Sequence, residues 1–180
     1  MVYVLLGTGF EETEAIAPID LLRRAGAKVL TVGIGGKVIR GSHHICVEAD
    51  ITVDQVDPTQ LDMLVLPGGL GGVASIEGSP EAMELIRFAC ENRKLIGAIC
   101  AAPTILGKQG MLQGMAAVCY PGCEKDLQGA IYRTDVPCVR SGNIITGTSA
   151  GCAVPFGLAL IEALKGQEEA DRIARQIVIR

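Results

Sequence analysis

A chain of 180 residues with 49% hydrophobic residues, 3% aromatics and no tryptophan is long enough for one domain and must build its core from Leu, Ile, Val and Ala. A formal net charge of −4 without any basic stripe omits the phosphate-neutralising term, so no nucleic-acid partner is expected. No apolar run reaches membrane-spanning length and "MVYVLLGTGFEETEA" lacks the positive segment of an export signal, so the expectation is a cytoplasmic protein with no membrane partner.

In chain order, "VYVLL" reads as a strand buried on both faces, and residues 14–25 as a helix ending at Gly26. "KVLTVGI" gives a second strand, residues 36–50 a β-hairpin excursion, and "DMLVLPGG" a strand that ends in a glycine turn. The next helix is expected at 80–92, with Ser79 as N-cap and Pro80 at its first position. "KLIGAIC" is a strand followed by a helix at 101–108. "AAVCY" and "NIIT" read as further strands, and helices at 150–164 and 168–177 close the chain. The alternation predicts one α/β domain over 1–180: a doubly wound, mostly parallel sheet sandwiched by helices. Sites in such folds gather at the carboxyl ends of the strands. Here those ends are Gly7–Glu14, Pro67–Gly72, Ile99–Ala102 and Gly147–Gly151.

Gly7-Thr8-Gly9 begins a G-x-G-x-x-G pattern, but Glu12 stands where the third glycine belongs. Glu11 and Glu12 would also repel a pyrophosphate, so they read as acids favouring a helix dipole. The seven cysteines form no ligand-spaced quartet, and the two histidines are adjacent at 43 and 44, so no metal is expected. "AICAA" is more informative. A nucleophile elbow puts a reactive side chain on a sharp strand-to-helix turn, with small residues two positions to either side. Ala98 and Ala102 flank Cys100 in that way, and a helix N-terminus there would favour the thiolate. Backbone amides of Gly68, Gly69 and Ala101 would complete an oxyanion pocket. No histidine follows residue 44, which counts against a Cys-His triad. The remaining proton partner is a carboxyl of "EETEA", of which Glu14 precedes the apolar run that could carry it inward.

These residues resemble a known family. "GFEETEAIAPIDLLRRAG", "LVLPGG", "IGAICAAPTIL" and "GLALIEALKG" look like the ThiJ/PfpI superfamily, nearest its parkinsonism-associated deglycase branch. The resemblance implies a flavodoxin-like, class I glutamine-amidotransferase-like fold, a homodimer, and no cofactor or metal. It places the reactive cysteine at Cys100, its protonated glutamate partner at Glu14, and the oxyanion amides at Gly69 and Ala101 beside Gly68. Tyr120 replaces a histidine that many relatives keep before a proline, and His43 aligns with an arginine that a partner subunit offers in some. Protease-like members carry His directly after the cysteine, where this chain has Ala101. The implied function is a glyoxalase or deglycase acting on a small aldehyde or glycated substrate through a Cys100 hemithioacetal, with Glu14 relaying protons. The alternatives are a cysteine-oxidation sensor or stress chaperone without turnover, and a scaffold with inert thiols.

Overall fold

The computed structural model describes residues 1–179. Strands β1 (Val2–Leu6), β2 (Val29–Gly33), β3 (Val38–Arg40), β4 (Cys46–Glu48), β5 (Ile51–Thr52) and β6 (Met63–Leu66) fill the first third with helix α1 (Glu12–Arg24). Then follow α2 (Leu70–Glu77), α3 (Pro80–Glu91), β7 (Leu95–Ile99), α4 (Pro103–Lys108), β8 (Ala116–Ala117) and β9 (Ile131–Tyr132). The chain closes with β10 (Cys138–Ser141), β11 (Ile144–Gly147), α5 (Ala153–Lys165) and α6 (Gln167–Gln176).

One seven-stranded sheet runs in the order β10-β11-β7-β6-β1-β2-β5. All its pairs are parallel except β10 with β11. Alternation along β1 explains the two layers. Tyr3 and Leu5 join Leu64, Leu66, Ile96 and the helices α2, α3 and α4 on one face. Val2, Val4 and Leu6 join Met63, Val65, Ile145 and the helices α1, α5 and α6 on the other. A sheet buried on both faces needs continuously apolar strands, which is why VYVLL and MLVL have no polar member.

Two of the predicted helix boundaries fall where their chemistry places them. Ser79 Oγ accepts the Ala82 N–H at 3.2 Å, a cap contributing about 1 kcal/mol. Gly26 takes φ +67 just past the end of α1. The differences are instructive. Residues 67–72 are not all loop, because α2 begins at Leu70 despite its glycines. "AAVCY" supplies only the two-residue β8, which pairs with β9 outside the main sheet. The helix expected from 101 starts at Pro103, after a turn. The last long helix starts at Ala153, because residues 150–152 form a tighter 3-10 turn. The strand order reverses at β1, so β1–α1 and β6–α2 open a crevice at their carboxyl ends. No helix among the described residues is long and apolar enough to cross a membrane.

Candidate functional site

Cys100 directly follows β7 and adopts φ +65, the left-handed region that costs a non-glycine residue about 1–2 kcal/mol. Its neighbours impose that conformation. Its N–H donates to the Gly147 carbonyl at 2.9 Å, its carbonyl accepts from the Tyr120 N–H at 2.8 Å, and Ala102 N–H turns back to Ile99 O at 3.0 Å. The residue is thus pinned between two other strand-end loops, and its half-buried side chain projects into the crevice. Ala98 and Ala102 are fully buried, so larger side chains have no room there.

Glu14 reaches the same point from α1. Because the helix begins at Glu12, Glu14 lies in its first turn, where the acid also suits the helix dipole. It is 1% exposed, its Oε2 accepts the Gly68 N–H at 3.0 Å, and its carboxyl hydrogen-bonds the Cys100 sulfur. Gly68 has no side chain for a visible reason. A Cβ there would lie 2.5 Å from Glu14 Oε2 and 2.6 Å from Cys100 Cβ.

This geometry corrects one sequence expectation. Gly68 cannot serve as an oxyanion amide while its N–H is committed to Glu14. The amides left beside the sulfur are those of Gly69 and Ala101, which both donate toward it.

The electrostatics correct a second. Burial pushes Glu14 up to about 7, partly offset by the hydrogen bonds from Cys100 and Gly68. Burial and then the Glu14 charge push Cys100 up to about 12, against the pull of the Gly69 and Ala101 amides. A freestanding thiolate is therefore not what this site holds. The two groups form one proton-sharing pair that loses its first proton near neutrality and resists losing the second. The short helix α4 starts three residues beyond the sulfur and does not overcome that burial.

All four strand-end loops named from the sequence line one cavity of about 600 Å³. Glu11 and Glu14 come from the first loop, Gly69 and Leu70 from the second, Cys100 and Ala101 from the third, and Ser149–Gly151 from the fourth. His43 and the Tyr120–Cys123 loop complete it. Tyr120 is half exposed, and its backbone already holds Cys100 in place. His43 lines the cavity of its own chain.

What places His43 was not read from the sequence. Glu12 is buried at 6% exposure. Its Oε1 accepts N–H groups from His43 at 2.8 Å and Ile45 at 3.3 Å. Its Oε2 lies 3.2 Å from His43 Nδ1. Burial alone would raise this carboxyl, yet bonds from its own amide, from the amide and ring of His43 and from the Ile45 amide hold it down at about 2. Glu12 therefore clamps the hairpin turn over the site, beyond favouring a helix dipole. Glu11, Glu12 and His43 bring ligand atoms within 4.8 Å of one another. The Glu12 oxygens are already occupied by the turn they organise.

The surroundings match known proteins. The DJ-1/PfpI family model matches residues 1–163. Protein dj-1beta of Drosophila melanogaster is 37% identical over 178 residues, covering 98% of this chain and 95% of that protein. The crystal structure of Drosophila melanogaster DJ-1beta superposes with a TM-score of 0.94 at 36% identity, over 99% of this chain and 97% of the other. The glutathione-independent glyoxalase DJR-1.2 of Caenorhabditis elegans is 28% identical over 169 residues, 94% of this chain and 90% of that one. Sequence match and sheet topology thus agree: this chain is a member of the DJ-1/PfpI family.

Proposed function

We propose that this chain is a cofactor-free enzyme of reactive α-oxoaldehydes, converting methylglyoxal or glyoxal to the hydroxy acid. The observation that carries the reading is the Cys100–Glu14 pair, a nucleophile hydrogen-bonded to a carboxyl whose proton is exchangeable near neutrality. That poise is what a general base needs at physiological pH. The glyoxalase name of the Caenorhabditis elegans relative supports the same substrate class.

The Cys100 sulfur adds to the aldehyde carbon while Glu14 accepts the thiol proton, so the two never carry charge together. The former carbonyl oxygen takes up its negative charge beside the Gly69 and Ala101 amides and is then protonated, giving a hemithioacetal. Glu14 next moves a proton from the former aldehyde carbon to the neighbouring ketone carbon through an enediol, leaving a thioester on Cys100. Water cleaves that thioester, returning the thiol and releasing the hydroxy acid. One methylglyoxal and one water give one lactate, with no external oxidant. Early glycation adducts offer the same carbon chemistry in a cavity open to solvent.

The decisive test is lactate formation from methylglyoxal by the wild type and by Cys100→Ala. Loss of the nucleophile is expected to lower the rate by roughly a thousandfold or more. Equal rates overturn the assignment.

A second reading uses the same atoms. A sulfinic acid on Cys100 would present oxygens to the Gly69 and Ala101 amides and to the Glu14 proton, an arrangement suited to oxidation sensing. Mild peroxide followed by peptide mapping is expected to add oxygens to the Cys100 peptide. A Cys100 peptide without added oxygen removes the sensor role.

A further inference from the structure

Two cysteines that the Cys100 chemistry does not use meet behind the cavity wall. Cys138 opens β10 and stands opposite Gly147 in the antiparallel register with β11. Thr148 N–H donates to Pro137 O at 2.9 Å, tying the chain that leaves β11 to the residue before Cys138. Cys152 closes the turn that follows, its N–H donating to Ser149 O at 2.9 Å. The Cys152 sulfur accepts from Thr148 Oγ1 and from the Ser149 N–H, each at 3.4 Å. Both cysteines pack in the apolar cluster beneath α5, where the Cys138 side chain faces the Cys152 sulfur closely enough to influence its proton. Cys152 is 4% exposed, whereas Cys138 is only half-buried and gives the pair its opening to solvent.

A cysteine that merely fills apolar space needs no hydrogen-bond donors. This one has two, Thr148 Oγ1 and the Ser149 N–H, converging on a single sulfur beside a second thiol. The neighbouring Cys138 thiol foremost, aided by Ser149 and Thr148, outweighs burial and holds Cys152 down at about 5. The same pairing and burial raise Cys138, so the pair keeps one proton and one charge.

We propose that Cys138 and Cys152 form a reversible redox dithiol, which hydroperoxides close to a disulfide independently of Cys100. The Cys152 thiolate attacks a peroxide oxygen, the O–O bond breaks, and the departing hydroxide or alkoxide takes up the proton that Cys152 had released. Cys152 is then a sulfenic acid. The Cys138 sulfur displaces the sulfenyl hydroxide, which leaves as water with the Cys138 proton. In sum two thiols and one hydroperoxide give one disulfide, one water and one alcohol (a second water when the oxidant is hydrogen peroxide). Two electrons pass from sulfur to oxygen.

The test uses Cys100→Ala, which removes the other reactive sulfur, with the wild type run in parallel. Each protein is treated with hydrogen peroxide below stoichiometry, alkylated, and digested with trypsin without reductant. Cleavage at Arg133, Arg140 and Lys165 puts Cys138 in peptide 134–140 and Cys152 in peptide 141–165, with no other cysteine in either. The expected product is these two peptides joined, lighter than their sum by two hydrogens, ahead of any other cysteine link and separated again by dithiothreitol. Cys138→Ala in the same background is expected to leave Cys152 carrying added oxygens, since nothing resolves its sulfenic acid. Recovery of both peptides alkylated while other cysteines oxidise overturns the proposal, as does oxygenated Cys152 without the link when Cys138 is present.

Discussion

Glu14→Gln is expected to lower kcat/KM for methylglyoxal by roughly 10²–10⁴-fold, the range typical of losing a positioned acid–base group. It is also expected to remove the pH dependence near neutrality. The sign follows from the shared proton. Below about 7 the Cys100–Glu14 pair keeps both protons, and no base is present for the attacking thiol. The wild-type rate therefore rises as pH passes upward through about 7 and then levels, because the second proton stays on until about 12. Stability moves the other way. An unfolded Glu14 ionises in the ordinary carboxylate range, so its burial stabilises the fold below that range and progressively less as pH rises through about 7. Gln carries no charge, so above neutrality the variant is expected to be the more stable protein by on the order of 3 kcal/mol. Initial rates and melting temperatures on both sides of neutrality check both halves. A variant as active as wild type, or a wild-type rate flat through neutrality, rejects Glu14 as the proton acceptor.

Gly68→Ala is the second large effect, and it acts through space alone. The added methyl would meet Glu14 Oε2 at 2.5 Å, Cys100 Cβ at 2.6 Å and the Ile99 carbonyl at 2.8 Å. Two of these cannot retreat, since Ile99 is fixed in β7 by its pairing with Gly147 and Cys100 is pinned by Gly147 and Tyr120. Overpacking of this kind costs about 1–3 kcal/mol. The neighbour with the most freedom is the Glu14 side chain, so the carboxyl is expected to leave both the Gly68 amide and the sulfur. A displacement of about 1 Å there costs on the order of a hundredfold in rate. Thermal unfolding combined with lactate kinetics checks this. An alanine variant with wild-type stability and rate contradicts the packing described.

Much of this was legible in the chain itself. β1, β2, β6, β7 and β11 announce themselves because a sheet covered on both faces asks for apolar strands, with Thr31 in β2 and Thr146 in β11 tolerated through their hydrogen bonds to Asp50 and the Val118 amide. Cys100 and Glu14 were legible for different reasons, one from its small flanking residues and the other from the apolar run that begins after it. What sequence hid depends on contacts between distant segments. The role of Glu12 is set by amides of residues 43 and 45, which no local pattern connects to it. The commitment of the Gly68 amide depends on a carboxyl 54 residues away. α2 was masked by glycines that disfavour a helix but let it pack against the Gly9 loop. The proton balance of Cys100 depends on the depth of burial, which a local motif does not show even where it shows the nearby helix start. The Cys138–Cys152 pair could have been suspected only by knowing that β10 returns antiparallel to β11.

The left-handed backbone at Cys100 has a consequence for how such a chain can be improved. Glycine would occupy that corner at ease, so for persistence of the fold alone cysteine is the inferior choice. Any engineering guided only by heat resistance would drift toward glycine at this position and deliver a sturdier molecule with nothing to offer an aldehyde. Durability and reactivity pull apart at this one residue, and the retained sulfur records which of them the sequence favours.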